Sequence, residues 1–126
     1  MNTTMIKFIN LPEFDKDFKK LEKRYRSLSE DFDLFKKILD SIYQSLIGNA
    51  NVFVLIESFC GENFTSNKVR KFTCKTLKGK GNQSGIRIIF VYEKEKQQIT
   101  FVEIYYKGDK ENEDKERLNN FISSIE

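Results

Sequence analysis

Between Lys68 and Arg87 the chain carries seven basic residues, Lys68, Arg70, Lys71, Lys75, Lys78, Lys80 and Arg87, with no Asp or Glu among them. Acidic residues are concentrated elsewhere, above all in Glu13–Asp40 and Asp109–Glu116. A segregated cluster of this kind is the electrostatic footprint of a polyanion partner. A solvated, lysine-rich strand and loop would show the same composition. Arg offers phosphate a planar two-pronged donor, and Lys a compact charge. Fixed cations can also assist phosphodiester cleavage. When a 2′-hydroxyl attacks the neighbouring phosphorus, charge grows on the phosphoryl and leaving oxygens, and positioned cations stabilise it. That route needs no metal in principle. The chain has no His, which removes the commonest general base and the Ser-His and Cys-His nucleophiles. Proton transfer would therefore fall to carboxylates, Lys, Tyr or the substrate. Tyr105, Tyr106, Lys107 and Lys110 follow the last apolar run and supply such groups.

The rest of the composition bounds what these residues can serve. With 126 residues, 39% of them hydrophobic and 12 of them Phe, the chain suits one domain over 1–126 with a single core. Charged residues, 33% of the total, are interspersed with the apolar ones, as in a soluble globular protein rather than a disordered one. No apolar run reaches the ~18 residues that a membrane helix needs. Met1–Leu11 lacks the basic and apolar regions of a secretory signal. Cys60 and Cys74 are too few for a disulfide framework, and without His they do not make a zinc site; both read as reduced thiols of a cytoplasmic protein. No phosphate-binding glycine loop, dinucleotide fingerprint or calcium loop is present, so no cofactor or metal is expected.

Met5–Leu11 alternates as a short strand. Asn10 reads as a helix N-cap, with Pro12 in the first turn. Phe14, Phe18, Leu21, Tyr25 and Leu28 form one helical stripe. Ser27 and Glu30 fit a capping box for a second helix with the stripe Phe32, Phe35, Ile38/Leu39, Ile42 and Leu46, stopped at Gly48-Asn49. The two should form a hairpin. Val52–Ile56 reads as a strand or a buried turn of helix, and Gly61–Asn67 as a loop. Val69–Leu77, Gly85–Glu93 and Gln98–Tyr106 have strand composition and suggest an antiparallel meander. Leu118, Phe121, Ile122 and Ile125 mark a last helix capped near Asn112 or Asp114. The order β-α-α-β-β-β-α implies an α+β architecture, an antiparallel sheet with the helices packed on one face.

On that frame Ile86, Ile88, Phe90 and Tyr92 point toward the helices and Arg87 away. If Phe72 and Cys74 also face the helices, Lys71, Lys75 and Arg87 converge on one open sheet surface, with Lys78 and Lys80 at its rim. Tyr105 and Tyr106 point to opposite faces, so at least one belongs to the core. The Asp109–Glu116 run reads as a solvated helix start.

The stretches Lys68-Val69-Arg70-Lys71-Phe72, Lys78-Gly79-Lys80-Gly81, Ser84-Gly85-Ile86-Arg87-Ile88-Ile89-Phe90-Val91-Tyr92 and Ile104-Tyr105-Tyr106-Lys107-Gly108-Asp109-Lys110 resemble RelE-type toxins of type II toxin–antitoxin systems, in the RelE/ParE superfamily. The opening FINLPEFDKDFKKLEKRY resembles that family's first strand and helix. The resemblance implies a cytoplasmic toxin that cuts mRNA in the ribosome as a metal-independent endoribonuclease, and an antitoxin that neutralises it in a hetero-oligomer. It implies catalytic roles for Arg87, Lys71, Lys75, Lys107 and Tyr105, and RNA contacts from Arg70, Lys78, Lys80 and Lys110. Lys107 and Lys110 stand where the RelE pattern has Arg and a later Tyr. The same fold also hosts gyrase-inhibiting ParE-like toxins without catalysis, and an inactive remnant that binds antitoxin or RNA is a further alternative.

Overall fold

A computed structural model describes residues 6–126. Met5, the first residue of the expected strand, lies outside them. The elements are β1 (Lys7–Asn10), α1 (Pro12–Arg24), α2 (Leu28–Tyr43), β2 (Phe53–Leu55), a short 3-10 turn (Glu57–Phe59), β3 (Phe64–Val69), β4 (Ile86–Glu93), β5 (Gln98–Tyr106) and α3 (Lys115–Ile125). The fold is α+β, and the sheet has five strands in the order β1-β5-β4-β3-β2. It is mixed, not antiparallel: β1 runs parallel to β5, with Lys7 opposite Gln98 and Asn10 opposite Phe101.

Two expectations about the sheet are corrected. Strand β3 occupies Phe64–Val69, beginning inside the stretch Gly61–Asn67 read as a loop, and the chain leaves the sheet at Arg70. Val69–Leu77 is therefore not a strand. Its Phe72 makes an isolated bridge to Gln83, and the Ser84 hydroxyl donates to the Phe72 carbonyl (2.6 Å). The helices also do not share one face. Helices α1 and α2 bury Phe14, Leu21, Phe32, Phe35 and Leu39 against Ile86, Ile88, Phe90, Ile99, Phe101 and Ile104. Helix α3 buries Leu118 and Ile122 on the other side, against Ile89, Val91, Val102 and Tyr105. The nearly unbroken apolar run of β4 is what a strand covered on both faces requires.

The larger core is aromatic. Phe101 lies within 5.8 Å of Phe8, 5.5 Å of Phe14, 4.8 Å of Phe32 and 6.2 Å of Phe90, centroid to centroid. Such stacked, tilted and edge-on pairs add to simple area burial.

Helix boundaries differ in detail from the sequence reading. Leu11, not Asn10, is the N-cap of α1, and the Asn10 amide bonds Asp15 instead (3.0 Å). Ser27 does not close a capping box: its hydroxyl donates to Asp31 (2.6 Å) and meets the Thr76 hydroxyl (2.8 Å), tying α2 to the loop after β3. Helix α2 ends at Tyr43, well before Gly48. Ser45 there adopts φ 61°, the Leu46 N–H bonds the Ser41 carbonyl (2.9 Å) and the Ser45 N–H bonds Ile42 (3.0 Å). This is a left-handed stop without glycine. It leaves Leu46 70% exposed and outside the stripe assigned to it. Of the two caps considered for α3, Asn112 and Asp114, it is Asp114 that serves, its carboxylate accepting from the Arg117 N–H (3.0 Å).

Because four aromatic rings close on Phe101, truncating it leaves a cavity that they cannot fill. Phe101→Ala should cost about 3–5 kcal/mol in urea unfolding. A loss below about 1 kcal/mol would contradict this account of the core.

Candidate phosphate-binding surface

Strand register places the relevant side chains in rows across the face that α3 covers. Val69 lies opposite Ile88 and Arg87 opposite Tyr105, and Arg70 follows directly on Val69 just past the end of β3, so the three stand in a row at the sheet end. One step inward, Lys68, Ile89 and Glu103 form the next. The rows depend on a bulge in β5. Ile89 pairs with Glu103 but Phe90 pairs with Phe101, so Val102 is extra. After it, Ile104 faces α1 and α2, and Tyr105 faces α3.

Arg87 donates through Nη1 to the Arg70 carbonyl (3.2 Å). Among the described residues neither Arg70 nor Arg87 has a carboxylate within ion-pair distance. Tyr105 is only 5% exposed, and its hydroxyl has no hydrogen-bond partner. Burial, reinforced by the charges of Glu113 and Glu103 and opposed by those of Arg87 and Arg70, pushes this phenol up to about 12. It is therefore a proton donor at neutral pH, not a base.

Two carboxylates lie within this basic face. Glu103 is buried, accepts from the Asp114 N–H (2.7 Å) and pairs with Lys110. Glu113 pairs with Lys68 (2.9 Å), at side-chain exposures of 9% and 15%. Burial opposes ionisation of Glu113, yet the Lys68 hydrogen bond, a bond to its own backbone N–H and the Lys68 charge together bring it below the usual carboxylate range. The Asp109–Glu116 run is thus not simply solvated. Residues 107–114 fold over the sheet end, with Lys110 Nζ 5.3 Å from the Tyr105 ring centroid.

The structure divides the sequence-derived site. Arg87, Arg70, Tyr105 and Lys110 come together. Lys107 is exposed just past β5, its N–H on the Gly85 carbonyl (2.9 Å). Gly85 needs its φ of 86°, and a Cβ there would lie 3.0 Å from the Tyr106 ring. Lys78 and Lys80 are exposed on the β3–β4 loop, outside the row. Lys71 and Lys75 do not join Arg87, because the strand alternation used to place them does not exist. Lys71 donates to the Ala50 carbonyl (2.8 Å) and Lys75 pairs with Glu30 of α2. Both line a groove against α2, with Leu34, Ile38 and Ile47. Phe72 and Cys74 are buried as expected, each 1% exposed, but they hang from an irregular segment.

Lys68 was counted in the basic cluster but given no role in the site, and Glu103 and Glu113 were not singled out from sequence. Glu103 carried a usable signal: one acidic residue inside the apolar run Ile99–Tyr106 needs a buried partner. Among the described residues no group of three or more His, Cys, Asp or Glu side chains is arranged to hold a metal ion, and no helix is long and apolar enough to cross a membrane. Comparison with family models, with curated proteins and with solved structures found no match for this chain.

The unsatisfied Tyr105 hydroxyl gives a test. Removing it relieves a buried polar atom, so Tyr105→Phe should stabilise the fold by on the order of 1 kcal/mol at neutral pH. The raised pKa means that the folded state favours the protonated phenol. That contribution is complete below pH 10 and is lost as the pH climbs to about 12. The advantage of Tyr105→Phe should therefore widen between these values in pH-dependent urea melts. A destabilised variant at pH 7 would show that the hydroxyl has a partner.

Proposed function

We propose that this chain is a cytoplasmic toxin of the RelE/ParE kind, a metal-independent endoribonuclease that engages mRNA at the Arg70–Arg87–Tyr105 row, in the ribosome, and is neutralised by an antitoxin. The observation that carries the reading is the row itself. Two guanidinium groups without carboxylate partners stand beside a phenol whose hydroxyl is unsatisfied. A half-buried cation is ordinarily paired, and leaving Arg87 free beside the exposed Arg70 at a sheet end suits an anionic ligand. The residue pattern Ser84–Tyr92 followed by Ile104–Lys110 supplies the resemblance to RelE-type toxins.

In this reading Arg70 and Arg87 fork onto the phosphoryl oxygens of the scissile phosphate. The 2′-hydroxyl attacks phosphorus and the bond to the 5′ oxygen breaks, leaving a cyclic phosphate and a free 5′-hydroxyl. The guanidinium charges stabilise the excess negative charge of that transition state. Tyr105, neutral up to about pH 12, donates toward the phosphate or the leaving oxygen. The proton of the attacking hydroxyl passes to a phosphoryl oxygen or a ribosomal group, because the row itself holds cations and a phenol only. Lys71 and Lys75 are not part of this machinery.

A second reading follows from the burial of Tyr105 and the lack of a base on the row. The same surface then binds a nucleic-acid backbone or a protein target without cutting, as a gyrase inhibitor or an RNA-binding remnant. Induction in a bacterial host, with primer extension on abundant transcripts, separates the two. Cuts inside reading frames that vanish when translation is blocked are expected from the nuclease. Arg87→Ala should reduce them by roughly two orders of magnitude or more, as loss of one transition-state donor does, with an unchanged thermal melt. Growth arrest with intact transcripts would favour gyrase inhibition, and no arrest the remnant. Undiminished cutting by Arg87→Ala would remove the row from the mechanism.

A further inference from the structure

Lys68 lies on the same face as Arg87, one row inward, and two residues before Arg70, where the chain leaves the sheet, so three cations at this sheet end could follow a backbone. Lys68 is nevertheless occupied. Its ammonium holds the Glu113 carboxylate at 2.9 Å, the less exposed of the two partners. Glu113 also lies close enough to Tyr105 for its charge to act on that phenol more strongly than any other. An anion thus sits against Lys68 and near an unsatisfied hydroxyl, with the Lys115 charge also acting on it, surroundings that suit a phosphate of the ligand.

The anchoring of the segment makes Glu113 replaceable. Residues 107–114 are tied down separately: Glu103 accepts from the Asp114 N–H and pairs with Lys110, and Asp114 caps α3. Glu113 can therefore leave Lys68 without undocking α3, whose Leu118 and Ile122 remain in the core.

We propose that Glu113 is an internal stand-in for a phosphate, and that an RNA backbone displaces it from Lys68. The exchange recruits Lys68 as a third phosphate-binding cation and removes the Glu113 charge from beside Tyr105. It rests on the RNA-binding reading given above and names how that same site is kept closed. Phosphate carries more charge and more acceptor oxygens than a carboxylate, so it competes well for an ammonium group.

The test is binding of a short single-stranded RNA, 2′-O-methylated so that it cannot be cut, measured across a salt series. Glu113→Gln should bind on the order of five- to tenfold more tightly, because the open arrangement is no longer a minor one. Lys68→Met should weaken binding and lower the slope of log affinity against log salt by about 0.7, one single-strand contact. Lys68→Met/Glu113→Gln should match Lys68→Met, since the gain needs the freed lysine. In the wild type, RNA should shift the side-chain carboxyl resonance of Glu113 as it leaves Lys68, a readout that stands even if Glu113→Gln folds poorly. Unchanged affinity in Glu113→Gln, an unchanged slope in Lys68→Met, or an unshifted Glu113 carboxyl would overturn the exchange. Arg70→Ala/Arg87→Ala is the control. If it binds as the wild type does, the RNA site itself is wrong and the exchange falls with it; if only the arginines matter, the exchange alone is wrong.

Discussion

At Val102 and Glu103, β5 sets two residues against the single Ile89 of β4. A one-residue shift in a strand moves every later side chain to the opposite face. Had the alternation of Ile99 and Phe101 continued, Glu103 and Tyr105 would point into the aromatic core around Phe14, Phe32 and Phe90. That would bury a carboxylate among rings with no donor to meet it. The extra residue instead turns Glu103 toward the Asp114 N–H and Lys110, and Tyr105 toward Arg87. The Val102 carbonyl at the bulge accepts from Arg117 Nη1 (2.9 Å), and the same nitrogen reaches Asp17 of α1 (2.7 Å). This crossing is open because β1 stops pairing with β5 at Phe101. One local irregularity therefore docks α3, joins it to α1 and aligns the Arg70–Arg87–Tyr105 row.

Charge on the α3 face is organised around that docking. Glu103 is buried by the segment that it holds, so its pairing is structural. Glu113 is held by one ammonium at the margin of the face. The two carboxylates differ in what their loss would do: Glu103 anchors a helix N-terminus as well as a lysine, whereas Glu113 satisfies only Lys68 and its own backbone. Lys75–Glu30, by contrast, is an exposed pair on the α2 side and adds little to stability. The chain there is also held by the Lys75 N–H bond to Asp31, which is partly buried, and by the exposed Thr76 N–H bond to Ser27.

What the sequence made legible follows from how strongly each segment's pattern was forced. In Ile86–Glu93 and Gln98–Tyr106, β-branched and aromatic residues leave no other reading, and the polar turn Lys94–Gln97 separates them. Asp114 was recognisable as a cap because an apolar helical stripe follows it at once. Strand β3 was hidden because Ser66 and Asn67 are buried polar residues in its middle, which look like loop chemistry. Val69–Leu77 misled in the opposite sense: Val, Phe, Thr and Cys have strand composition, but Phe72 and Cys74 reach the core from an irregular segment. The error moved Lys71 and Lys75 onto the wrong side of the molecule, since their placement came from counting alternate residues along a strand that ends at Val69. The coverage of both faces was legible in principle, because Ile88-Ile89-Phe90-Val91 has no polar side from which helices could be excluded.

The state of Tyr105 limits the chemistry that the row can perform. A phenol pushed up to about 12 is almost wholly protonated at neutral pH, and an arginine does not give up its proton there either. The row can therefore stabilise negative charge and donate hydrogen bonds, but it cannot abstract a proton. Any cleavage it supports must take its rate from charge stabilisation and from alignment of the 2′-hydroxyl with the phosphorus, with the base supplied by the RNA or its ribosomal surroundings. On the proposed reading an isolated chain would bind RNA far more readily than it cuts it, because a basic site built without histidine and with its one phenol buried has no base of its own.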